Sequence, residues 1–393
     1  MTGDETERRA RSDWTALGRT LRERGVLTAD WAPSFEAVAR AGFLPEVMWP
    51  YDMGSRTSAV CDRNADPARW YAAAATNVPI TTQWDDGRHT GTAPGRIPTS
   101  SSSMPSVVME MLAALDVRDG HRVLEIGTGT GWNAALLTHR LGGDRVVTVE
   151  VDATVAASAR AALDRAGRHP TVLTGDGLLG HPGQGPYDRT VITAGLRQVP
   201  YALVEQTVPG GLIVMPWGSS LTTADRLVRL VVAEDGRTAC GHLTTPVEFM
   251  KARSQRVQVD QGAYLPDGFP GGATATSTGL TASEAGFEEP WSHPFMTVAG
   301  LLVPDCLLLH DRRGDTVSVW LYGLTDRSWA AALLTDGVAR STVHQSGPRH
   351  LWDELTGAHR WWTGHGSPSA ERFGITVTPE GGTAWLDDPA RTV

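Results

Sequence analysis

The strongest structural signal in this chain is RVLEIGTGTGWNAALLTHRL, residues 122–141. A short apolar run leads into glycines at positions 127, 129 and 131, and an amphipathic run follows them. This order is typical of a buried parallel strand, a tight turn and a helix. Because open α/β sheets bind ligands outside the carboxyl ends of their strands, the turn is predicted to border a binding site.

The same pattern continues along the chain. An amphipathic helix is predicted over 104–117, and further helices are predicted between apolar runs rich in Val, Ile and Leu. These runs predict strands at 122–127, 145–151, 171–176, 187–194 and 210–218. Alternation of this kind predicts an α/β fold with a doubly wound, Rossmann-like parallel sheet.

The segments before this core differ from it in composition. Residues 1–12 are polar and are predicted to be frayed, whereas 13–50 carry apolar residues at the spacing of short helices. Residues 51–100 are rich in Pro, Gly, Thr and Asp, which predicts a long loop of the kind that is functional or disordered.

We divide the chain into four parts. They are an N-terminal helical and substrate-loop region (1–100), a cofactor-binding core (101–255), a linker or irregular insertion (256–295) and a C-terminal α+β domain (296–393). In the last part, 301–311 and 316–324 predict strands, 351–366 predict a helix that ends at glycine, and 374–388 predict a hairpin.

Composition excludes several classes of function. The 393 residues carry a net charge of −9, which argues against a nucleic-acid partner. The three cysteines, at 61, 240 and 306, form no CxxC pair, so neither a metal site nor a disulfide framework is expected. The N-terminus lacks the apolar region of a secretory signal, and no apolar run reaches the ~18 residues of a membrane helix. We therefore expect a cytoplasmic protein without a membrane partner.

Three acids accompany the predicted strand ends. Glu125 lies two residues before the first glycine, Glu150 ends the second strand and Asp176 ends the third. Glu125 would repel a pyrophosphate but suits an ammonium group. Glu150 can accept the hydroxyl groups of a ribose, and Asp176 can meet an adenine amino group. A nucleoside that carries an amino acid, as S-adenosylmethionine does, fits all three.

At this point the sequence resembles a known family. The spacing Glu-x-Gly-x-Gly-x-Gly, the acid after the second strand and the GDG after the third mark S-adenosylmethionine-dependent methyltransferases of class I. Over roughly 15–255, the chain is similar to protein-L-isoaspartate O-methyltransferases. The resemblance implies S-adenosylmethionine as cofactor and S-adenosylhomocysteine as product. The cofactor-binding residues that we expect are Thr99, Glu125, Gly127, Thr128, Gly129, Gly131, Glu150, Val151, Asp176 and Gly177.

The resemblance also implies a substrate site just before the helix at 104–117. The family carries a Thr-Ile-Ser motif there, whose serine aligns with Ser100, and Met104 matches a family methionine. We assign Ser100 as the catalytic residue that orients a substrate carboxylate, and Ser101, Ser102 and Met104 as substrate contacts. The alternative for these serines is a flexible loop and a helix N-cap. The family's Val-Pro-Leu segment is replaced by Phe249, Met250 and Lys251, which puts the substrate in question rather than the cofactor.

The C-terminal region resembles that of actinobacterial homologues that accompany lanthipeptides, lasso peptides and graspetides. This implies methylation of an aspartate in a ribosomally made, macrocyclic precursor peptide, which then collapses to aspartimide or isoaspartate. Tryptophans such as Trp361, Trp362 and Trp385 would either anchor that peptide or form the core of the domain.

Three other functions remain open at this stage. The first alternative is repair of L-isoaspartyl residues in damaged proteins. A second is a non-catalytic peptide-binding module, which the intact glycines and acids disfavour. A third is an NAD-dependent oxidoreductase, which the glycine spacing and Glu125 disfavour.

Overall fold

A computed structural model describes residues 3–289 and 291–393. Its helices are α1 (Gly3–Glu23), α2 (Ala32–Ala37), α3 (Pro67–Ala74), α4 (Pro105–Leu115), α5 (Trp132–Leu141), α6 (Ala153–Arg165), α7 (Tyr201–Glu205), α8 (Pro294–Leu302) and α9 (Leu351–Gly364). No helix within the described ranges is both long enough and apolar enough to cross a bilayer.

The strands are β1 (Val47–Asp52), β2 (Thr57–Ser58), β3 (Cys61–Asp62), β4 (Ile80–Trp84), β5 (Pro98–Ser102), β6 (Val123–Ile126), β7 (Val146–Glu150), β8 (Thr171–Thr174), β9 (Tyr187–Ile192), β10 (Thr207–Trp217), β11 (Asp225–Val232), β12 (Ala239–Val247), β13 (Thr274–Thr278), β14 (Cys306–Arg313), β15 (Thr316–Gly323), β16 (Trp329–Thr335), β17 (Ser341–Ser346), β18 (Phe373–Thr378) and β19 (Gly381–Leu386).

The chain divides into two compact units. Unit 1 comprises the described residues up to Ala194 together with 200–215 and 229–238, and unit 2 comprises the remaining residues. Strands β10 and β11 each contribute residues to both units.

The central sheet of unit 1 has the strand order β11–β10–β9–β6–β7–β8. The pairs from β10 to β8 are parallel. Strands β6 and β7 are buried along their whole length, as expected for strands covered on both faces. If β6 is counted as the first strand along the chain, the strands from β8 to β10 lie in the order third, second, first, fourth, fifth. The direction of winding therefore reverses between β6 and β9. The predicted doubly wound fold is confirmed.

The N-terminal part of unit 1 is more regular than the sequence predicted. Helix α1 already includes most of the segment expected to be frayed, and ion pairs such as Arg11–Glu7, one helical turn apart, lie along it. The prediction of a long loop over 51–100 was wrong, because a sheet in the order β2–β1–β4–β5 forms there, with β3 paired to β1. Ile80 and Trp84 of β4 are buried, and this burial stabilises the sheet.

Unit 2 contains an antiparallel sheet in the order β13–β17–β16–β15–β14. Strand β13 lies inside 256–295, so the segment predicted as a linker supplies an edge strand. The predicted hairpin is also present as β18 and β19, and β18 pairs with β12. Unit 2 therefore takes in 239–247, which the sequence had placed in the cofactor-binding core.

The cysteines Cys61, Cys240 and Cys306 are free thiols. Across the described residues, no three His, Cys, Asp or Glu side chains lie together in a way that could hold a metal ion.

Candidate functional site

The glycine turn follows β6 directly, at the point where the winding of the sheet reverses. Gly127 has φ +93°, and a Cβ built on it would lie 2.6 Å from Thr193 Oγ1. Its N–H donates to the carbonyl of Val149 on the neighbouring strand (2.8 Å). Gly131 has φ +87° and would place a Cβ 3.4 Å from that of Ala159. Both positions therefore require glycine, one for backbone geometry next to β9 and one for close packing on α6.

Glu125 is fully buried in β6. Thr148 Oγ1 donates to its Oε2 (2.5 Å) and Asn133 Nδ2 to its Oε1 (2.7 Å). Burial raises the pKa of this carboxyl to about 7, although the two hydrogen bonds oppose the shift. Thr128 bonds the hydroxyl of Thr148 (2.7 Å), so the turn is fastened to the acid through the neighbouring strand. Because both carboxylate oxygens are engaged within the protein, Glu125 helps to hold the glycine turn in place.

Glu150 lies at the end of β7 and also holds the glycine turn. Its Oε2 accepts from the N–H of Gly129 (2.9 Å), and its Oε1 accepts from the N–H of Asp152 (3.1 Å). Only 8% of its surface is exposed. The structure thus brings together the second acid and the middle glycine, two residues that the sequence predicts to belong to one cofactor site.

The residues that follow β7 and β8 expose side chains of different chemistry. Val151 is 47% exposed, which is unusual for an apolar side chain beside a buried strand. Asp176 is exposed, and its Oδ1 accepts from the N–H of Leu178 (3.0 Å). Gly177 is buried, and a Cβ on it would lie 2.5 Å from Ile126 Cγ2. An apolar side chain and a carboxylate therefore stand at the ends of adjacent strands.

The predicted substrate serines form strand β5, antiparallel to β4. Ser101 is paired with Thr81, and Ser100 accepts a hydrogen bond from Thr82 Oγ1 (3.3 Å). A Cβ built on Gly129 would lie 3.4 Å from the carbonyl oxygen of Ser101. Strand β5 therefore runs against the glycine turn, and the two motifs that the sequence separates by about 30 residues meet.

The structure corrects the alternative interpretation of these serines. Helix α4 begins at Pro105 and has Met104 at its N-cap, with no side-chain cap bond. The serines at 100–102 lie in the strand before it, so they neither cap the helix nor form a loop. The hydroxyl of Ser102 is buried and makes no hydrogen bond with the described residues. Met104 is half-buried next to this strand.

Sequence reasoning missed two polar residues of this region, Gln83 and Asp152. Thr99 Oγ1 donates to Gln83 Oε1 (2.8 Å), and Gln83 Nε2 donates to Asp152 Oδ2 (3.2 Å). Asp152 follows an apolar strand and precedes a helix, so its role as an N-cap was detectable from the sequence. Gln83 gave no such signal, because it lies in the segment that was predicted to be a loop.

In unit 2, the tryptophans differ in how far they are buried. Trp362 and Trp385 are buried, which confirms the interpretation as core for these two. Trp361 is half-buried. The more exposed aromatic side chains are Phe269 (52%) and Trp291 (51%), which no pattern in the sequence had singled out.

The segment that departs from the family pattern also lies in unit 2. Lys251, the only lysine of the chain, forms an ion pair with the fully buried Asp225. Burial raises the pKa of Asp225 to about 6 and lowers that of Lys251, while the attraction between the pair opposes both shifts. The lysine thus has an internal partner.

Comparison with known proteins finds that this chain is similar in sequence to methyltransferases. Residues 90–256 match the family model described as protein-L-isoaspartate(D-aspartate) O-methyltransferase. The enzymes of this name from Xanthobacter autotrophicus and Pyrococcus horikoshii are each 41% identical to the chain, over 152 and 135 residues. These matches cover 38% and 34% of this chain and 65% and 60% of the relatives. The chain thus spans less than two thirds of the length of the curated relatives it matches.

A solved structure named protein-L-isoaspartate O-methyltransferase extends the likeness in fold. It aligns with 95% of this chain and 99% of its own length, with a TM-score of 0.53 and 20% identity. The fold likeness therefore includes residues beyond 256. Residues 90–256 of this chain are thus similar to the protein-L-isoaspartate O-methyltransferase family, and the chain shares the fold of that solved structure.

Proposed function

We propose that this chain is an S-adenosylmethionine-dependent carboxyl O-methyltransferase that acts on an aspartate-derived side chain of a peptide. The observation that carries the proposal is the contact of strand β5 with the glycine turn, through the carbonyl of Ser101 and Gly129. It places a row of hydroxyl groups beside the turn at which this fold binds ligands.

The residues of the site fit the cofactor. When bound, S-adenosylmethionine supplies an electrophilic methyl group and leaves as S-adenosylhomocysteine. Glu150 would accept its ribose hydroxyls, Asp176 its adenine amino group, and the exposed Val151 would cover the apolar face of the base. The cationic sulfonium and ammonium groups suit a site whose charged side chains, Glu125 among them, are carboxylates. The turn at 127–131 would hold the amino acid end of the cofactor.

The acceptor requires orientation rather than deprotonation. An aspartate carboxyl has a pKa of about 4, so it is ionised at neutral pH and needs no general base. Ser100 accepts a hydrogen bond from Thr82, so its own hydroxyl hydrogen can be donated to one carboxylate oxygen and direct the other toward the methyl group. Catalysis by such a site is positioning, together with exclusion of water.

The product ester is activated toward its own backbone. The amide nitrogen of the following residue forms a bond to the ester carbonyl carbon, the C–OCH₃ bond breaks, and methanol leaves with the amide proton. A five-membered succinimide results. From an isoaspartyl ester this ring leads to repair, and from an aspartyl ester it installs an aspartimide or, after addition of water, an isoaspartate.

The finer proposal is that the substrate is one aspartate of a ribosomally made macrocyclic precursor. Selecting one aspartate among many requires contacts beyond the reacting residue. Unit 2 offers the exposed aromatic side chains Phe269 and Trp291 for such contacts. The alternative, repair of isoaspartyl residues, is supported by the name of the curated relatives, which are 41% identical to the chain over the matched residues.

Mass spectrometry of methyl transfer separates the two. The protein is incubated with S-adenosylmethionine and, in parallel, with a synthetic isoaspartyl hexapeptide, a macrocyclic peptide that contains one aspartate, and the linear form of that peptide. A gain of one methyl group on the macrocycle, followed by loss of methanol, with the other two unchanged, supports maturation. Methylation of the hexapeptide alone supports repair. Transfer to none of the three contradicts the proposal.

A further inference from the structure

Strand β4 carries an irregularity at the centre of the site. Ser101 is opposite Thr81 and Ser100 is opposite Gln83, so Thr82 is an extra residue on β4; Pro98 is opposite Trp84, so Thr99 is an extra residue on β5. Bulges of this kind redirect side chains and are frequent beside active sites. Here the two irregular positions allow Thr99 and Gln83 to meet through their side chains.

The hydrogen bonds of Gln83 have a defined direction. The hydroxyl of Thr99 accepts from the N–H of Asp86 (3.1 Å) and donates its own hydrogen to Gln83 Oε1 (2.8 Å). At the other end of the same amide, Nε2 donates to a carboxylate oxygen of Asp152 (3.2 Å). An amide is suited to this place, because one end must accept from a hydroxyl and the other must donate to an anion.

Asp152 continues the path into the cofactor site. Its Oδ1 accepts from the N–H groups of Thr154 and Val155 at the start of α6, which fixes the carboxylate. Its own N–H donates to Glu150, and Glu150 accepts from Gly129 of the turn. A continuous set of hydrogen bonds therefore joins the serine strand to the acid assigned to the ribose and to the glycine turn.

We propose that Gln83 is a positioning residue that couples the two halves of the site, so that binding of the cofactor orders strand β5 for the peptide. The proposal rests on the proposed function, because it assigns the nucleoside to Glu150 and the peptide to β5. Coupling between two sites is reciprocal and typically amounts to a factor of about 5 to 150. The path contains a hydrogen bond to a charged group, which is among the stronger kinds.

Hydrogen–deuterium exchange with S-adenosylhomocysteine tests the proposal without a peptide and without turnover. In the full-length wild type, saturating S-adenosylhomocysteine is expected to slow exchange of the amides at 127–131, 150–152 and 99–103 by about tenfold. In Gln83→Met, protection at 127–131 and 150–152 remains, whereas protection at 99–103 is lost. Gln184→Ala is the matched control. Gln184 is another glutamine of unit 1, and it precedes β9 at the end of the central sheet away from the glycine turn. This variant should behave as the wild type.

A double-mutant cycle guards against a variant that simply loses structure. Thr99→Val removes the same hydrogen bond from the other strand, together with the one that Thr99 accepts from Asp86, so the combined variant should lose no more protection than Thr99→Val alone. The proposal is overturned if ligand-induced protection at 99–103 is absent in the wild type or unchanged in Gln83→Met while the ligand still binds. If S-adenosylhomocysteine protects no segment of the wild type, the proposed function fails as well.

Discussion

Thr148 of β7 donates a 2.5 Å hydrogen bond to the buried carboxylate of Glu125 on β6. The acid that precedes the glycine turn is thereby fastened to the adjacent strand. Burial nevertheless dominates, and the pKa of Glu125 rises to about 7. The site thus contains a carboxyl group that changes charge close to neutral pH.

This pKa predicts a specific dependence of stability on pH. In the unfolded chain the carboxyl ionises near 4.5, whereas in the folded chain it keeps its proton until about 7. Between these values the folded state binds more protons, so the free energy of unfolding falls as pH rises, by roughly 3 kcal/mol in total. Glu125→Gln should remove this contribution. Urea unfolding from pH 4.5 to 8 compares the two proteins, and parallel curves would contradict the assignment.

Gly127 is expected to tolerate no side chain. In Gly127→Ala the methyl group would meet Thr193 Oγ1 at 2.6 Å, and alanine disfavours φ +93°. We expect a loss of stability of about 2–4 kcal/mol and weaker binding of S-adenosylhomocysteine. Gly120→Ala is the matched control, because Gly120 has φ +85° but no atom within 4 Å of the place that a methyl group would occupy. Its cost should be only about 1 kcal/mol, and equal costs at both sites would contradict the steric explanation.

Ser100→Ala should affect methyl transfer and leave cofactor binding intact. Loss of a hydroxyl that orients a carboxylate is expected to lower kcat/KM roughly 10- to 100-fold. The dissociation constant of S-adenosylhomocysteine, measured by calorimetry, should remain within a factor of about two of the wild type, roughly the error of such a comparison. An unchanged kcat/KM would remove Ser100 from the catalytic residues.

The ion pair between Lys251 and Asp225 predicts strongly non-additive stabilities. Lys251→Met leaves a buried carboxylate without its cation and should cost about 3–5 kcal/mol. Combining it with Asp225→Asn should recover much of that loss. The exposed pair between Arg313 and Asp311 provides the control, since Arg313→Ala should cost less than about 1 kcal/mol. Additive losses in the double variant, measured by urea unfolding, would show that Lys251 does not serve to neutralise Asp225.

The parts of the site that could be predicted are those with local causes. The glycine turn, Glu150 and Asp176 follow directly from strands whose apolar runs are visible in the sequence. Strand β5 could not be predicted, because its stability comes from pairing with β4 across an intervening segment, and a run of serines carries no apolar signal. Gln83 was missed for the same reason, and its contact with Asp152 depends on a bulge that no local pattern indicates.

The boundaries in unit 2 illustrate the same limit. The strands and the hairpin near the C-terminus were predicted from turns and apolar alternation. The pairing of β18 with β12 was not predicted, because the two strands are separated by about 130 residues and either strand could equally well have been an unpaired edge strand. The domain boundaries predicted from composition therefore differ from the boundaries of the two compact units.

Asp152 caps the start of α6 with one oxygen and holds Gln83 with the other. Serine or threonine would still cap α6 but has no second acceptor, and asparagine would turn an amide nitrogen toward the amide nitrogen of Gln83. Of the residues that commonly begin helices, aspartate is thus the one that serves both neighbours. Random mutagenesis under selection for folding alone should accept several residues at this position, whereas selection for methyl transfer should accept aspartate only.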